Sequence, residues 1–330
     1  FSPALKAAKI SREQSEQSLQ QTEEQVVYNI CVTYYQALVI RKQADALKAT
    51  LDASVESLSS IELKLRNGMA NSVDVDKIRV SCNNTRSKLE QSELSYLQSL
   101  NNLKYYMGMP VDSTIALTDT TLVMPEVIEH QYPEDFSVEN HTDYKLQQRS
   151  INMYEADWKK ERAGYLPSLS LNAFYDYDAM RDKFNFLSSG QEWYNSYGMG
   201  LTLSIPIFDG LQRKNRISQA RLNIRKSEEN LRLTEQSLRV NHSNYEIEYR
   251  NAVENIRDEK GNLDLALKVY QNTRLSYQQG TGSSLDLVQA ESSLREAQSN
   301  YFNKLLNLYI ARLGLEKSKG NLLEYVNNSK

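Results

Sequence analysis

The chain has 330 residues, 40% of them hydrophobic and 25% charged, with a formal net charge of −3 and a mean hydropathy of −0.61. Its length accommodates two or three ordinary domains, and the near-neutral charge without blocks of one sign argues against a nucleic-acid partner. The longest largely apolar stretch, Asn29 to Ile40, is about half of the ~20 residues that a membrane helix needs, so any membrane contact must use strands or a surface.

Phe1-Ser2-Pro3 opens onto a polar helix and not onto a charged and then apolar leader, so the expectation is that a leader has been removed or the chain truncated. From Ala4 to Asn67 there is neither glycine nor proline, and Leu, Glu, Gln, Lys, Arg and Ala dominate. Sixty-four helical residues would extend over about 96 Å, a length suited to coiled coils and helical tubes and not to a globular core. Gly68 marks a turn. A return helix is predicted from Ser72 to Met107, with a seven-residue seam at Val75, Ile78, Cys82, Leu89, Tyr96 and Leu103. Cys31 lies well before the turn and Cys82 soon after it, so antiparallel pairing keeps the two thiols apart and both read as small buried groups.

Residues 109–141 break the pattern. Pro110, Pro125 and Pro133 bracket a short apolar run, Thr121 to Met124, which reads either as a plain linker or as part of a belt around the middle of the helices, together with the tail at 321–330. A further helix is predicted over 142–164. Residues 165–210 then change period. Leu169, Leu171, Ala173, Tyr175 and Tyr177 alternate with Ser168, Ser170, Asn172, Phe174 and Asp176, and Met199, Leu201, Leu203, Ile205 and Ile207 alternate with Gly200, Thr202, Ser204, Pro206 and Phe208. A period of two marks strands with one apolar face, and about ten residues is the length of a tilted membrane strand. Trp193, Tyr194 and Tyr197 suit an interfacial belt or an outer loop. Because a lone hairpin is marginal in water and a membrane demands closed strand edges, one hairpin per chain implies an oligomer.

Residues 211–320 repeat the opening. Residues 1–108 align with 213–320 at a constant offset of 212: Gly68 with Gly280, Ser72 with Ser284, Asp74 with Asp286, Gly108 with Gly320, and Thr22-Glu23 with Thr234-Glu235. The second return helix carries Leu287, Leu294, Tyr301 and Leu308, with Ala290, Ala297 and Ala311 between them. The predicted fold class is therefore mainly α: long antiparallel helical hairpins in two structural repeats plus a β-hairpin. At the hairpin tips Gly68, Gly280 and Gly282 supply tight turns, Ser72 and Ser284 are the expected N-caps, and Asp74 and Asp286 complement the helix dipoles.

Catalytic chemistry has no foothold. His130, His141 and His242 show no ligand spacing, so no metal is expected. No glycine-rich phosphate loop is present, neither cysteine has a histidine partner, and the carboxylates are those of solvated helix faces, so neither an enzyme nor a cofactor is expected.

Four stretches together resemble the outer-membrane efflux proteins, the TolC-like channels. They are Tyr165-Leu166-Pro167-Ser168-Leu169-Ser170-Leu171, Gly200 through Gly210, the first tip Leu63–Gly68 with Ser72-Val73-Asp74, and the second tip Ser276–Gly280 with Ser284 through Ala290. The resemblance implies a homotrimer in the Gram-negative outer membrane. Its strands would share one β-barrel, with Leu169, Leu171, Leu201, Leu203 and Ile205 facing lipid. Its helices would form a tube across the periplasm as the exit duct of a tripartite efflux or type I secretion system, served by a periplasmic adaptor and an inner-membrane pump. It places Asp74, Tyr277, Asp286 and Gln289 at the periplasmic gate. The family carries a strand hairpin before each long helix, and here Phe1 aligns with Arg213, so the first hairpin is expected before residue 1. The competing reading is a soluble coiled-coil scaffold or periplasmic adaptor, which would have no use for an exposed aliphatic strand face.

Overall fold

A computed structural model describes residues 2–118, 136–180, 182, 190 and 192–328. The elements in chain order are α1 (Ser2–Arg66), α2 (Ser72–Tyr106), a 3-10 turn (Val138–Asn140), α3 (Thr142–Ala163), β1 (Ser168–Asp178), β2 (Tyr194–Ser204), α4 (Gln212–Gln278), α5 (Ser284–Ser318) and α6 (Leu322–Asn328). The chain is mainly α, as its composition predicts. The segment Thr121 to Met124, with Pro125, His130 and Pro133, lies outside the described residues.

Two compact units are present. One comprises Phe1–Glu16 and Leu146–Arg232, the other Gln17–Lys145 and Leu233–Lys330. The first holds most of α3, the hairpin and the starting turns of α1 and α4. Arg149 pairs with Glu13 at 3.0 Å, and Gln147 donates to the carbonyl of Ser227 at 3.2 Å. β1 and β2 form a two-stranded antiparallel sheet in which Leu169 faces Leu203, Leu171 faces Leu201, Ala173 faces Met199 and Tyr175 faces Tyr197. The apolar residues of the two strands thus share one face. On the other face Phe174 lies across from Gly198, and its ring occupies the space where a Cβ would stand, 2.5 Å away, so a larger residue there would displace the ring.

The second strand lies nearer the N-terminus than the alternation alone suggests. It starts at Tyr194, drawing Tyr194 and Tyr197 into the ladder, and it stops at Ser204 opposite Ser168. Ile205 and Ile207 therefore fall beyond the strand. Pro167 and Pro206 flank that end of the ladder, and proline has no N–H to donate to it.

The second unit packs α1, α2, α4 and α5 around two main apolar clusters. One gathers Val39, Tyr249, Ile256, Phe302, Leu305, Leu308 and Tyr309, with Tyr35 stacked on Tyr309 at 4.3 Å. The other, nearer the tips, gathers Ile61, Val75, Ile78, Cys82, Tyr270, Leu287 and Leu294. Cys31 and Cys82 are both free thiols. The α2 seam is longer than its apolar residues reveal. Ser81, Thr85, Ser92 and Ser99 are buried beside Val75, Ile78, Cys82 and Leu103, while Leu89 and Tyr96 are half-buried. Small hydroxyl residues keep the heptad spacing: Ser81 and Thr85 bond Arg295 of α5, and Ser92 donates to the Ile40 carbonyl of α1 at 3.4 Å.

The described parts of 109–141 pack against this unit. Leu117 is buried with Ala37, Leu38, Leu100 and Leu103, and its carbonyl accepts from Arg41 at 3.0 Å. Phe136 stacks on His242 at 4.1 Å.

Gly314 lies against Tyr245, where a Cβ would meet the ring at 2.6 Å, and Ile256 is fully buried. Ile256→Ala is expected to lower stability by about 2–5 kcal/mol through the cavity it leaves, and Gly314→Ala by about 1–3 kcal/mol through overpacking. Denaturant unfolding measures both, and an exposed control, Lys268→Ala, stays within about 0.5 kcal/mol of the parent.

Candidate functional site at the helical tips

The two tips are built alike because the repeat supplies the same turn chemistry twice. α1 ends with Gly68 in the left-handed region at φ 73°, and the N–H of Met69 donates to the Lys64 carbonyl at 2.8 Å. α4 ends with Gly280 at φ 80°, and the N–H of Thr281 donates to the Ser276 carbonyl at 3.0 Å. Both closures satisfy carbonyls that a helix end leaves open, with glycine at the one position that rejects a Cβ. Gly282 serves differently. Its φ is ordinary, but a Cβ there would sit 3.0 Å from the Tyr277 backbone nitrogen.

The caps fall one residue earlier than expected. Asn71, not Ser72, caps α2, its side-chain oxygen accepting from the Val73 N–H at 3.2 Å. Ser283, not Ser284, caps α5, accepting from the Asp286 N–H at 3.1 Å and donating to the Asp286 carboxylate at 2.8 Å. This frees Ser284 for another role: its hydroxyl donates to Asp74 at 2.5 Å and ties the start of α5 to the start of α2.

Asp74 is the centre of the tip. It accepts from Ser284 and pairs with Lys77 at 3.5 Å. Tyr277 is half-buried, and its phenol is pushed up first by burial and then by the Asp74 carboxylate. Lys64 lies 5.7 Å from the centre of the Tyr277 ring. Asp74 and Tyr277 are thus brought together, whereas Asp286 and Gln289 share an exposed face of α5.

Two buried polar clusters were not singled out in the sequence. Between α2 and α5, Arg295 bonds Glu291 at 2.7 Å and Thr85 at 2.9 Å, and Thr85 donates to Glu291 at 2.8 Å. Burial, with the Glu291 carboxylate next, pushes the Cys82 thiol up to about 11. The Glu-x-x-x-Arg spacing was visible in the sequence, but the same spacing recurs on exposed faces, as in Glu246 and Arg250. Where α1, α3 and α5 meet, Thr142 donates to buried Glu24 at 2.7 Å. His141 stands beside Asp143 at 3.6 Å, and Lys317 bonds Gln25 at 2.6 Å. His242 pairs with Ser318 at 2.9 Å.

In the strand pair, every apolar residue of the shared face is exposed within the chain, Leu171 by 67% and Leu201 by 68%. Among the described residues no helix is long and apolar enough to cross a membrane, and no group of His, Cys, Asp and Glu could hold a metal ion.

Long duplicated helical hairpins with an exposed strand pair between them define the fold of a helical-barrel channel. A profile of the outer membrane efflux protein family matches residues 1–109 and 138–321, and the chain belongs to that family. It is therefore an outer-membrane transport protein and not an enzyme. Similar proteins include outer membrane protein TolC of Vibrio cholerae, 20% identical over 97% of this chain and 73% of that protein. Others are protein CyaE of Bordetella pertussis, 23% identical over 69% and 48%, and the solvent efflux pump outer membrane protein SrpC of Pseudomonas putida, 21% identical over 89% and 62%. The chain thus spans 48% to 73% of the length of these relatives. Solved structures share the fold: the outer-membrane channel OprN has a TM-score of 0.79 at 18% identity over 97% of this chain and 71% of its own. VceC of Vibrio cholerae has 0.76 at 17% over 96% and 75%.

The two histidines near the end of α5 make stability depend on pH. Both have pKa values held below the ordinary histidine value, chiefly by burial; Asp143 and Glu24 oppose this at His141, and Glu246 opposes it at His242. Above the ordinary value both are neutral, folded or unfolded. As pH falls below it, the unfolded chain binds protons that the folded chain does not, so stability falls until the folded pKa values are passed. Unfolding midpoints measured from pH 7.5 to 5 should drop less in the His141→Gln/His242→Gln double variant than in the parent, about the ordinary histidine range.

Proposed function

We propose that the chain is one subunit of a homotrimeric outer-membrane exit duct, a passive conduit for a tripartite efflux or type I secretion system. A periplasmic adaptor and an inner-membrane pump would supply selection and energy. The observation that carries this reading is a mismatch in burial between the repeats. In the second repeat Leu238 is buried at 7%, while its counterpart Val26 is 38% exposed. Tyr309 is buried at 5%, while its counterpart Leu97 is 57% exposed. On the opposite side of α4 the relation reverses: Ile247 is 61% exposed, while its counterpart Tyr35 packs into the core. At these positions one repeat leaves bare what the other covers. A head-to-tail contact between copies would cover both, and such contacts form rings where the rotation between copies closes.

The same reading gives the segments their roles. Residues 1–108 and 211–320 are the two wall hairpins, 109–141 and 321–330 the material around their middle, 142–164 the helix leading to the membrane and 165–210 the barrel hairpin. Leu169, Leu171, Leu201 and Leu203, with Ile205 just past the strand, would face lipid. Asp74, Tyr277, Asp286 and Gln289 line the periplasmic mouth, where rings of carboxylates favour cations and repel one another on opening.

Two outcomes are expected of the full-length protein. Leu233→Asp/Val240→Asp/Ile247→Asp, on the bare side of α4, should yield monomers by size in detergent with helix content kept, as should Leu19→Asp/Val26→Asp on α1; trimers from both variants would defeat the ring. In planar bilayers Asp286→Ala and Asp74→Ala should raise conductance or weaken cation preference, and parent-like currents from both would defeat the gate assignment.

A further inference from the structure

We infer that the junction between helices and strands carries a binding site for anionic phospholipid headgroups. The inference rests on reading the hairpin as membrane-spanning. The end of α3 and the start of α4 meet here, with the Arg213 guanidinium 6.0 Å from the centre of the Tyr165 ring. Between them the strand ends are held together by the Ser168 to Ser204 pairing. Next to that pairing stand exposed Leu166, Ile205, Ile207, Phe208 and Leu211, with no cover in the chain.

Six cations lie at this level: Lys159, Lys160 and Arg162 on α3, and Arg213, Lys214 and Arg216 on α4. Two are engaged, Arg213 with Asp209 at 3.5 Å and Arg162 over the Trp158 ring at 4.8 Å. Lys159, Lys160, Lys214 and Arg216 are exposed, and none of them has an ion pair or hydrogen bond among the described residues. The carboxylates nearby are Asp157, Glu161 and Asp209, so cations outnumber acids two to one. Arg216 is the fifth residue of α4 and Lys160 the fourth from the end of α3, which places both within about 6 Å of the helix ends along the axis. Long basic side chains reach that far and keep their charge at a headgroup layer while their stems lie on apolar surface.

Apolar residues that continue the strand face, aromatic Trp158 and Tyr165, and four unpaired cations at one level form a surface complementary to a bilayer edge with negative headgroups. The charge complementarity selects acidic phospholipid over zwitterionic. Neither the tips nor the seam between α2 and α5 takes part.

The test uses the purified full-length protein and vesicles of phosphatidylcholine, alone or mixed with phosphatidylglycerol. Flotation should show tighter association with the mixed vesicles, by about fivefold for each cation engaged, and added salt should erase the difference. Lys159→Gln/Lys160→Gln/Lys214→Gln/Arg216→Gln should keep association with phosphatidylcholine and lose the preference. A control with equal charge removed elsewhere, Lys48→Gln/Lys88→Gln/Lys260→Gln/Lys268→Gln, should retain it. Equal binding of the parent to both vesicles, or an unchanged preference in the first variant, overturns the site. Competition by inorganic phosphate beyond that of sodium chloride at the same ionic strength would assign the cations to a soluble anion and also overturn it. Leu171→Lys/Leu201→Lys tests the spanning reading separately: loss of association with both vesicles supports it, and undiminished association with phosphatidylcholine refutes it while leaving the charge preference measurable.

Discussion

Helix α4 presents apolar residues on two opposed faces, and within the described chain only one of them is covered. On α4 the inner face carries Leu238, Tyr249 and Ile256, and the outer face carries Leu233, Val240 and Ile247 at a spacing of seven. Most helical stability in proteins comes from packing an amphipathic face. A helix of 67 residues without a turn is therefore sustained by continuous seams along its length. The tips and their caps sit at the end of these seams.

The repeat makes that arrangement economical. One set of turn residues, Gly68 and Gly280 with Asp74 and Asp286, serves both hairpins. The cap positions are equivalent in the two copies, but they carry different residues, and the bonding around them differs. In the first repeat the cap is Asn71, and Asp74 is left to accept from Ser284 across the tips. In the second the cap is Ser283, and it engages its own Asp286. Two equivalent acids thus end in different surroundings, one bridged to Ser284 beside a half-buried tyrosine and one turned to solvent.

Helix content, the helical boundaries to within a few residues, and the duplicated layout were legible in the sequence, because propensity and the glycine punctuation act locally. The limits of β2 were not. Alternation runs on through Ile205 and Ile207, and only pairing with β1 shows where the ladder stops. The caps were shifted by one for a similar reason: Asn71 and Ser72, like Ser283 and Ser284, offer equally good capping side chains, and the backbone geometry chooses between them. Least legible were the buried polar groups. Thr85, Glu291 and Arg295 look like members of a solvated face until both helices are in place.

Those polar groups bear on how the seam behaves. Near the tips α2 and α5 meet through Val75, Ile78, Leu287 and Ala290, then through Thr85, Glu291 and Arg295. Pairing the charges compensates their desolvation without adding much stability, whereas an apolar layer in the same place would hold the helices more strongly. Removing one partner would leave a buried charge with no counterion, so the pair acts mainly to forbid other registers. A slip of α5 by one residue would turn Glu291 and Arg295 away from Thr85 and Ser81 and bury them against apolar surface. The seam therefore combines one preferred register with modest adhesion.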